Sequence, residues 1–156
     1  MSRQDWRTPP WLFNLLDSRF GPFKLDAAAT ADNALCVEFS SDGLNDDWVS
    51  PTFCNPPFKR FGDWVKKAHT EYIRRDVKSC LLGPTACSQA WFHWYLVDGI
   101  VLVPTSRISF CHPDGTPTKG ADRDTMIYLF GYGAPPRDCG FMVRPIEIRS
   151  LSEISP

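Results

Sequence analysis

No stretch of this 156-residue sequence approaches the ~20 consecutive apolar residues that a membrane-spanning helix requires. The opening Met1-Ser2-Arg3-Gln4-Asp5-Trp6 also lacks the apolar run of a signal peptide, so the expected location is the cytoplasm, with no membrane partner. A surplus of one charge is missing too. Seventeen Lys and Arg stand against 18 Asp and Glu, a net charge of −1, which excludes a protein that coats nucleic acid by bulk charge. The six cysteines, at 36, 54, 80, 87, 111 and 139, form no C-x-x-C pair and therefore no zinc or redox motif. Most have apolar flanks and read as buried reduced thiols. Cys111-His112 is the one Cys-His neighbour pair, and a metal there would need His69 or His93 from distant segments, so no metal is expected. Gly131-Tyr132-Gly133 lacks the third glycine of a dinucleotide fingerprint, and Pro135-Pro136 follows instead of a helix.

Hydrophobic residues make up 43% of the chain and charged residues 22%, the balance of a globular domain able to bury a core. The length suits one domain over residues 1–156. Charge is polarised along it. Residues 1–50 carry four basic residues against eight acids, whereas residues 59–75 carry six basic residues against two. Thr8-Pro9-Pro10 followed by Trp11, Leu12, Leu15, Leu16 and Phe20 predicts an amphipathic helix with Thr8 as cap and Gly21 as stop. Strands are expected at Phe23–Asp26, 35–39 and Val49–Cys54, the last ended by Asn55-Pro56-Pro57-Phe58 because proline cannot donate to a ladder. Phe61, Trp64, Val65, Ala68 and Tyr72 then share one helical stripe with the basic residues largely opposite. Val77–Leu82 and Gly99–Val103 read as strands around an aromatic helix at Ser88–Val97. The alternation implies an α/β fold, a mostly parallel sheet with helices on both faces. Met126–Phe130 and Val143–Ile148, after a polar loop from Cys111 to Asp124, suggest an antiparallel C-terminal edge.

Asn55-Pro56-Pro57-Phe58 stands between a strand and a helix, where open α/β sheets place their ligands. An exocyclic amine on a nucleobase is a poor nucleophile because its lone pair is delocalised into the ring. Acceptors aimed at both N–H bonds pull that nitrogen toward tetrahedral geometry and free the pair. The Asn55 side-chain oxygen and the Pro56 carbonyl are candidates for these acceptors. Pro57 stiffens the backbone that aims the carbonyl, and the Phe58 ring offers a face for an extruded base.

The sequence here resembles a family. The asparagine-proline-proline-aromatic tetrad is the signature of S-adenosylmethionine-dependent amino methyltransferases, and the chain is similar to the small phage-type DNA N6-adenine methyltransferases. The match runs through Trp6-Arg7-Thr8-Pro9-Pro10-Trp11-Leu12-Phe13, Phe20-Gly21, Leu25-Asp26-Ala27-Ala28-Ala29, Asn33-Ala34, Gly43-Leu44, Asp47-Trp48, Phe53 to Phe58, Trp64-Val65 with Ala68, and Gly99 through Phe110, most of residues 5–130. The resemblance implies a compact Rossmann-like class I methyltransferase domain. It also implies transfer of a methyl group from S-adenosylmethionine to adenine N6 in DNA. Thr8 and Pro9, in the first helical turn, would meet the methionine carboxylate, with a plain helix cap as the other reading of Thr8. Asp26, followed by Ala27, would face the cofactor's ammonium group, or else cap a turn. Alanines 27–29 stand where the family carries glycines, so the backbone must approach its ligand without extra φ freedom. Only 28 residues separate Asp26 from Asn55, too few for two strand-helix units. Glu38, Asp42 and Asp47 are thus all candidates for the ribose acid. Glu38 fits best, and Asp47 is an alternative partner for the cofactor's adenine. Phe58 in place of tyrosine removes a hydroxyl and keeps the stacking face.

Lys59 and Arg60 follow the tetrad and are expected to contact DNA phosphate. Lys66, Lys67, Arg74 and Arg75 read as a solvated face. The loop 111–124, with His112, Lys119 and Arg123, is expected to reach the same sheet edge, while Arg107 is either a family position or half of an ion pair. The domain fills the chain, so no separate target-recognition domain is expected. Specificity then comes from such loops, from a partner protein or from a second copy of the chain. Competing readings keep the cofactor but change the acceptor to RNA or a protein amide, or make the chain a non-catalytic nucleic-acid binder. Cytosine C5 methylation is disfavoured, because no Pro-Cys pair supplies its nucleophile.

Overall fold

The computed structural model describes residues 6–118, 124–133 and 142–146. In chain order the elements are α1 (Pro10–Phe20), β1 (Leu25–Asp26), β2 (Glu38–Phe39), β3 (Thr52–Cys54), α2 (Phe61–Arg75), β4 (Ser79–Pro84), α3 (Ala90–Tyr95), a 3-10 turn (Leu96–Asp98), β5 (Gly99–Pro104), β6 (Thr125–Phe130) and β7 (Met142–Ile146). One seven-stranded sheet takes the order β2-β1-β3-β4-β6-β5-β7. All its pairs are parallel except those made by β6.

The α/β class and the mostly parallel sheet are as expected, and antiparallel pairing within the sheet is confined to β6 and its two neighbours. Its place is more interior than the sequence suggested. β4 and β5 run the same way but one strand apart, and β6 fills the space between them, pairing Cys80 with Leu129 on one side and Ile100 with Leu129 on the other. The outermost strand, β7, is parallel to β5.

Period-two alternation splits the buried residues into two cores, one on each face of the sheet. Phe53, Cys80, Leu82, Ile100, Leu102, Ile127 and Leu129 point to the face covered by Leu12 and Leu16 of α1. Cys54, Leu81, Val101, Met126, Tyr128 and Phe130 point to the face covered by Phe61, Val65 and Ala68 of α2 and Phe92 of α3. Continuous burial along β4 and β6 follows from this double cover.

Local chemistry differs from expectation in four places. Thr8 does not cap α1. Pro9 holds the cap position without a side-chain bond, and its carbonyl accepts from Leu12 N–H at 3.0 Å and Phe13 N–H at 3.2 Å. Gly21 does cap that helix in extended backbone, at a place where a Cβ would sit 2.5 Å from the Asp17 carbonyl oxygen. β2 shrinks to two exposed residues, with Val37 fully exposed beside it, since nothing packs on this edge among the described residues. The stripe of α2 includes an acid: Glu71 is 4% exposed, bonded to Lys67 Nζ at 2.6 Å and Arg75 Nη1 at 2.9 Å. Two of the basic residues assigned to a solvated face are therefore partners of a buried carboxylate. Cys54, Cys80 and Cys111 are buried as expected, whereas Cys87 is exposed.

Candidate active site

β1 and β3 are parallel neighbours with Asp26 opposite Phe53, so their carboxyl ends lie side by side. Asn55 follows β3 directly. The start of α1 is brought to these ends by a two-way backbone clasp: Arg7 N–H donates to the Cys111 carbonyl at 2.8 Å, and Cys111 N–H returns to the Arg7 carbonyl at 2.9 Å. Next to that clasp, Asn55 Nδ2 donates to Thr8 Oγ1 at 2.9 Å.

A cavity of about 380 Å³ opens here, within the ~300–1,000 Å³ usual for small-ligand sites. Trp6, Arg7, Thr8 and Pro10 line one part of it, Asp26, Ala28, Asp32 and Asn33 another, and Asn55 and Pro57 a third. Part of its wall is a turn within the expected polar loop 111–124. Thr118 N–H donates to Phe110 O and His112 N–H to Thr116 O, each at 2.8 Å, while Gly115 takes φ +84°. Asp114 Oδ1 accepts from both the N–H and the hydroxyl of Thr116, which holds its carboxyl below the usual range. His112, Pro113 and Gly115 of this turn face the cavity.

Asp26 is 4% exposed. Its Oδ2 accepts from Leu35 N–H at 3.1 Å and its Oδ1 from Ala28 N–H at 3.5 Å. Burial lifts its carboxyl from the ordinary 3.8 to about 6, against the lowering effect of those two amides. Neither Asp26 nor Arg7 has an ion pair among the described residues. Alanines 27–29 keep ordinary backbone, Asp76 being the one described non-glycine residue at positive φ. Glycine is required instead where Gly43 packs on this run, since a Cβ there would lie 1.9 Å from the Ala27 carbonyl oxygen.

The family model for DNA N-6-adenine-methyltransferase (Dam) matches residues 1–138. The chain belongs to this family. Membership of this family implies a methyl donor. The sequence is 35% identical over 95 residues to the DNA N-6-adenine-methyltransferase of Escherichia phage T1, covering 58% of this chain and 40% of the phage protein. It is also 35% identical over 63 residues to the YfdM protein of Escherichia coli (strain K12), covering 34% of this chain and 69% of that one. The chain thus spans well under half the length of the phage T1 relative.

Against this family frame the expected site residues divide. Thr8, Asp26, Asn55 and Pro57 share the cavity; Pro9, Ala27 and Pro56 are buried outside its lining. Phe58 is half-buried, edge-on to Phe61 at 6.2 Å and to Phe110 at 6.3 Å, and Phe110 in turn stacks on Trp6. Glu38 is exposed on β2, and Asp47 turns away to Arg75 at 3.3 Å, so neither lines the cavity. Asp42 is bonded to Asn45. Lys59 is exposed with no ion pair among the described residues, whereas Arg60 folds back onto Asp63 at 2.6 Å. Arg107 pairs with Asp124 at 3.4 Å. Lys119 and Arg123 lie outside the described residues. Arg7, Asp32 and Asn33 were missed as lining residues. Their signal was available, since Arg7 and Asn33 both fall inside the segments that carry the family likeness.

Proposed function

We propose that this chain transfers a methyl group from S-adenosylmethionine to the N6 amine of adenine in DNA. The observation that carries the reading is the meeting of Asn55 and the buried Asp26 in one cavity at the carboxyl edge of the sheet, in a Dam-family chain. The Asp26 carboxylate would hold the cofactor's ammonium group and the Arg7 guanidinium its carboxylate. Asp32 and Asn33, in the same cavity, suit the ribose hydroxyls better than Glu38 or Asp47. S-adenosylmethionine supplies a methyl on a sulfonium: the S–C electron pair stays on sulfur as the C–N bond forms, and one N6 proton leaves.

This chain's own contribution is orientation and charge. Asn55 Oδ1 and the Pro56 carbonyl accept the two amine hydrogens and localise the nitrogen lone pair. Phe58, already supported on two edges, offers its ring to the extruded base. The departing proton goes to water through the open cavity. Lys59, exposed beside this ring, is the best-placed phosphate contact. The single sheet serves as one domain, and target choice falls to the 111–118 turn with Lys119 and Arg123, or to a second copy or partner protein. The cytoplasm, where donor and DNA meet, suits this chemistry.

The test is incubation with labelled S-adenosylmethionine and unmethylated DNA, followed by nucleoside analysis. N6-methyladenine above an Asn55→Ala control is expected. Label appearing instead in RNA or protein acceptors run alongside would move the reading to those acceptors.

A further inference from the structure

We infer that Thr8 is a positioning residue for the acceptor amide: the hydrogen bond between its hydroxyl and Asn55 Nδ2 anchors the side chain where Oδ1 can meet the reacting amine. This rests on the proposed methyl transfer to an amine.

A carboxamide has two ends of nearly equal shape and opposite polarity. Presented by its oxygen, Asn55 accepts an N–H of the substrate and draws the lone pair out of the ring. Presented by its nitrogen, it sets donor against donor, and the activation is lost. The amide must therefore be held in place with its oxygen within reach of the amine. Proline supplies the backbone on the C-terminal side, but a proline has no N–H with which to hold the side chain.

The 2.9 Å bond from Nδ2 to Thr8 Oγ1 anchors the group; a hydroxyl pairs with either end of a carboxamide, so Thr8 holds its place and plane, and the substrate's N–H selects the oxygen end. Three features make that hydroxyl a fixed point. Arg7 is clasped through both its backbone groups to Cys111. Pro9 restricts the residue before it to extended backbone, and a β-branched side chain has few χ1 choices. Thr8 is also 6% exposed, so water is a poor replacement. The hydroxyl is not occupied in capping α1, whose cap position is Pro9. A threonine before two prolines reads in sequence as a helix start; here it serves a residue of another element.

The experiment compares wild type, Thr8→Val and Thr8→Ser by steady-state kinetics and by cofactor and DNA binding. Thr8→Val keeps the shape and removes the acceptor. It is expected to lower kcat roughly 10- to 100-fold with the KM for S-adenosylmethionine and the Kd for DNA near wild type, and Thr8→Ser is expected to restore most of kcat. A wild-type kcat in Thr8→Val overturns the inference. So does a loss confined to cofactor KM, which would make Thr8 a ligand contact. Side-chain amide NMR of the wild type, with Asn55→Ala as assignment control, gives a readout that needs neither activity nor a Thr8 variant. The Asn55 NH2 protons are expected to be shifted downfield and slow to exchange. Solvent-like exchange sinks the inference even if methylation is found, and a protected amide in a protein that fails to methylate adenine leaves the inference standing while the acceptor reading falls.

Discussion

Asp26 Oδ2 accepts the Leu35 N–H at 3.1 Å, tying the end of β1 to the far side of the loop that follows it. That bond does not compensate the charge, because burial still lifts the carboxyl to about 6. The folded protein consequently binds more protons at this group than the unfolded chain does between the ordinary 3.8 and about 6. Its contribution to stability is full below the lower value and lost as pH rises through the upper one, at most about 3 kcal/mol. Urea unfolding of the ligand-free protein at several pH values should show this slope. Asp26→Asn should flatten it, while weakening S-adenosylmethionine binding at least about tenfold. Wild-type cofactor affinity should itself fall as pH drops through about 6. A ligand-free Asp26→Asn protein with the wild-type pH slope would remove the burial argument.

Glu71 is the second buried acid, and its role is structural. Lys67 Nζ and Arg75 Nη1 both reach it, with the Lys67 side chain 15% exposed. Glu71→Ala leaves that ammonium largely desolvated and unpaired, and a loss of about 1–3 kcal/mol follows. A lowered urea midpoint with kcat within about twofold of wild type is expected. Loss of kcat at unchanged stability would show instead that α2 shapes the site through this pair.

DNA contact should separate residues of equal charge on the same stretch of chain. Lys59→Ala removes an exposed ammonium without an intramolecular partner among the described residues, whereas Lys67→Ala removes one committed to Glu71. Salt titrations of DNA binding should show the logarithmic slope shrinking by about 1 for Lys59→Ala. Lys67→Ala should lower stability and leave the slope unchanged. Equal slopes for wild type and Lys59→Ala would place the DNA elsewhere.

The contrast between Lys59 and Lys67 shows which features of this protein were legible in sequence. Periodicity marks α1 and α2 on the two faces of the sheet, because Leu12 and Leu16 or Val65 and Ala68 repeat at the helical spacing. Strand order was less legible. Nothing in Met126–Phe130 says that it enters between β4 and β5, since a continuous apolar run fits any buried strand. Side-chain pairing was less legible again. Glu71 looks like a surface acid until Lys67 and Arg75 are seen on either side of it, one turn away each. Motif chemistry points to Asn55 and the family resemblance to Asp26 and Thr8, and the three share a cavity. Their mutual geometry was not readable, because Thr8 is joined to Asn55 by folding and not by spacing. Position along the chain favours Glu38 and Asp47 as ribose acids, but Glu38 sits on the short, exposed β2 and Asp47 pairs with Arg75, so neither lines the cavity.

Aromatic support behind Phe58 gives the remaining prediction. A Cβ on Gly83, in the buried strand β4, would lie 1.9 Å from Phe61 Cζ. Phe61 is 3% exposed and meets Phe58, Trp91 and Tyr128 within 6.2 Å, so its ring has no free direction in which to yield. Gly83→Ala should therefore cost about 1–3 kcal/mol by overpacking and lower kcat by shifting the ring against which Phe58 rests. Phe61→Leu alone should also destabilise, by opening a cavity in the same place. The double variant offers the added methyl the space the ring vacates, and its loss should be smaller than the sum of the two by at least about 0.5 kcal/mol. Additive losses in urea unfolding would mean that the strand, and not the ring, absorbs the extra carbon, and Phe58 activity would then be expected to survive Gly83→Ala.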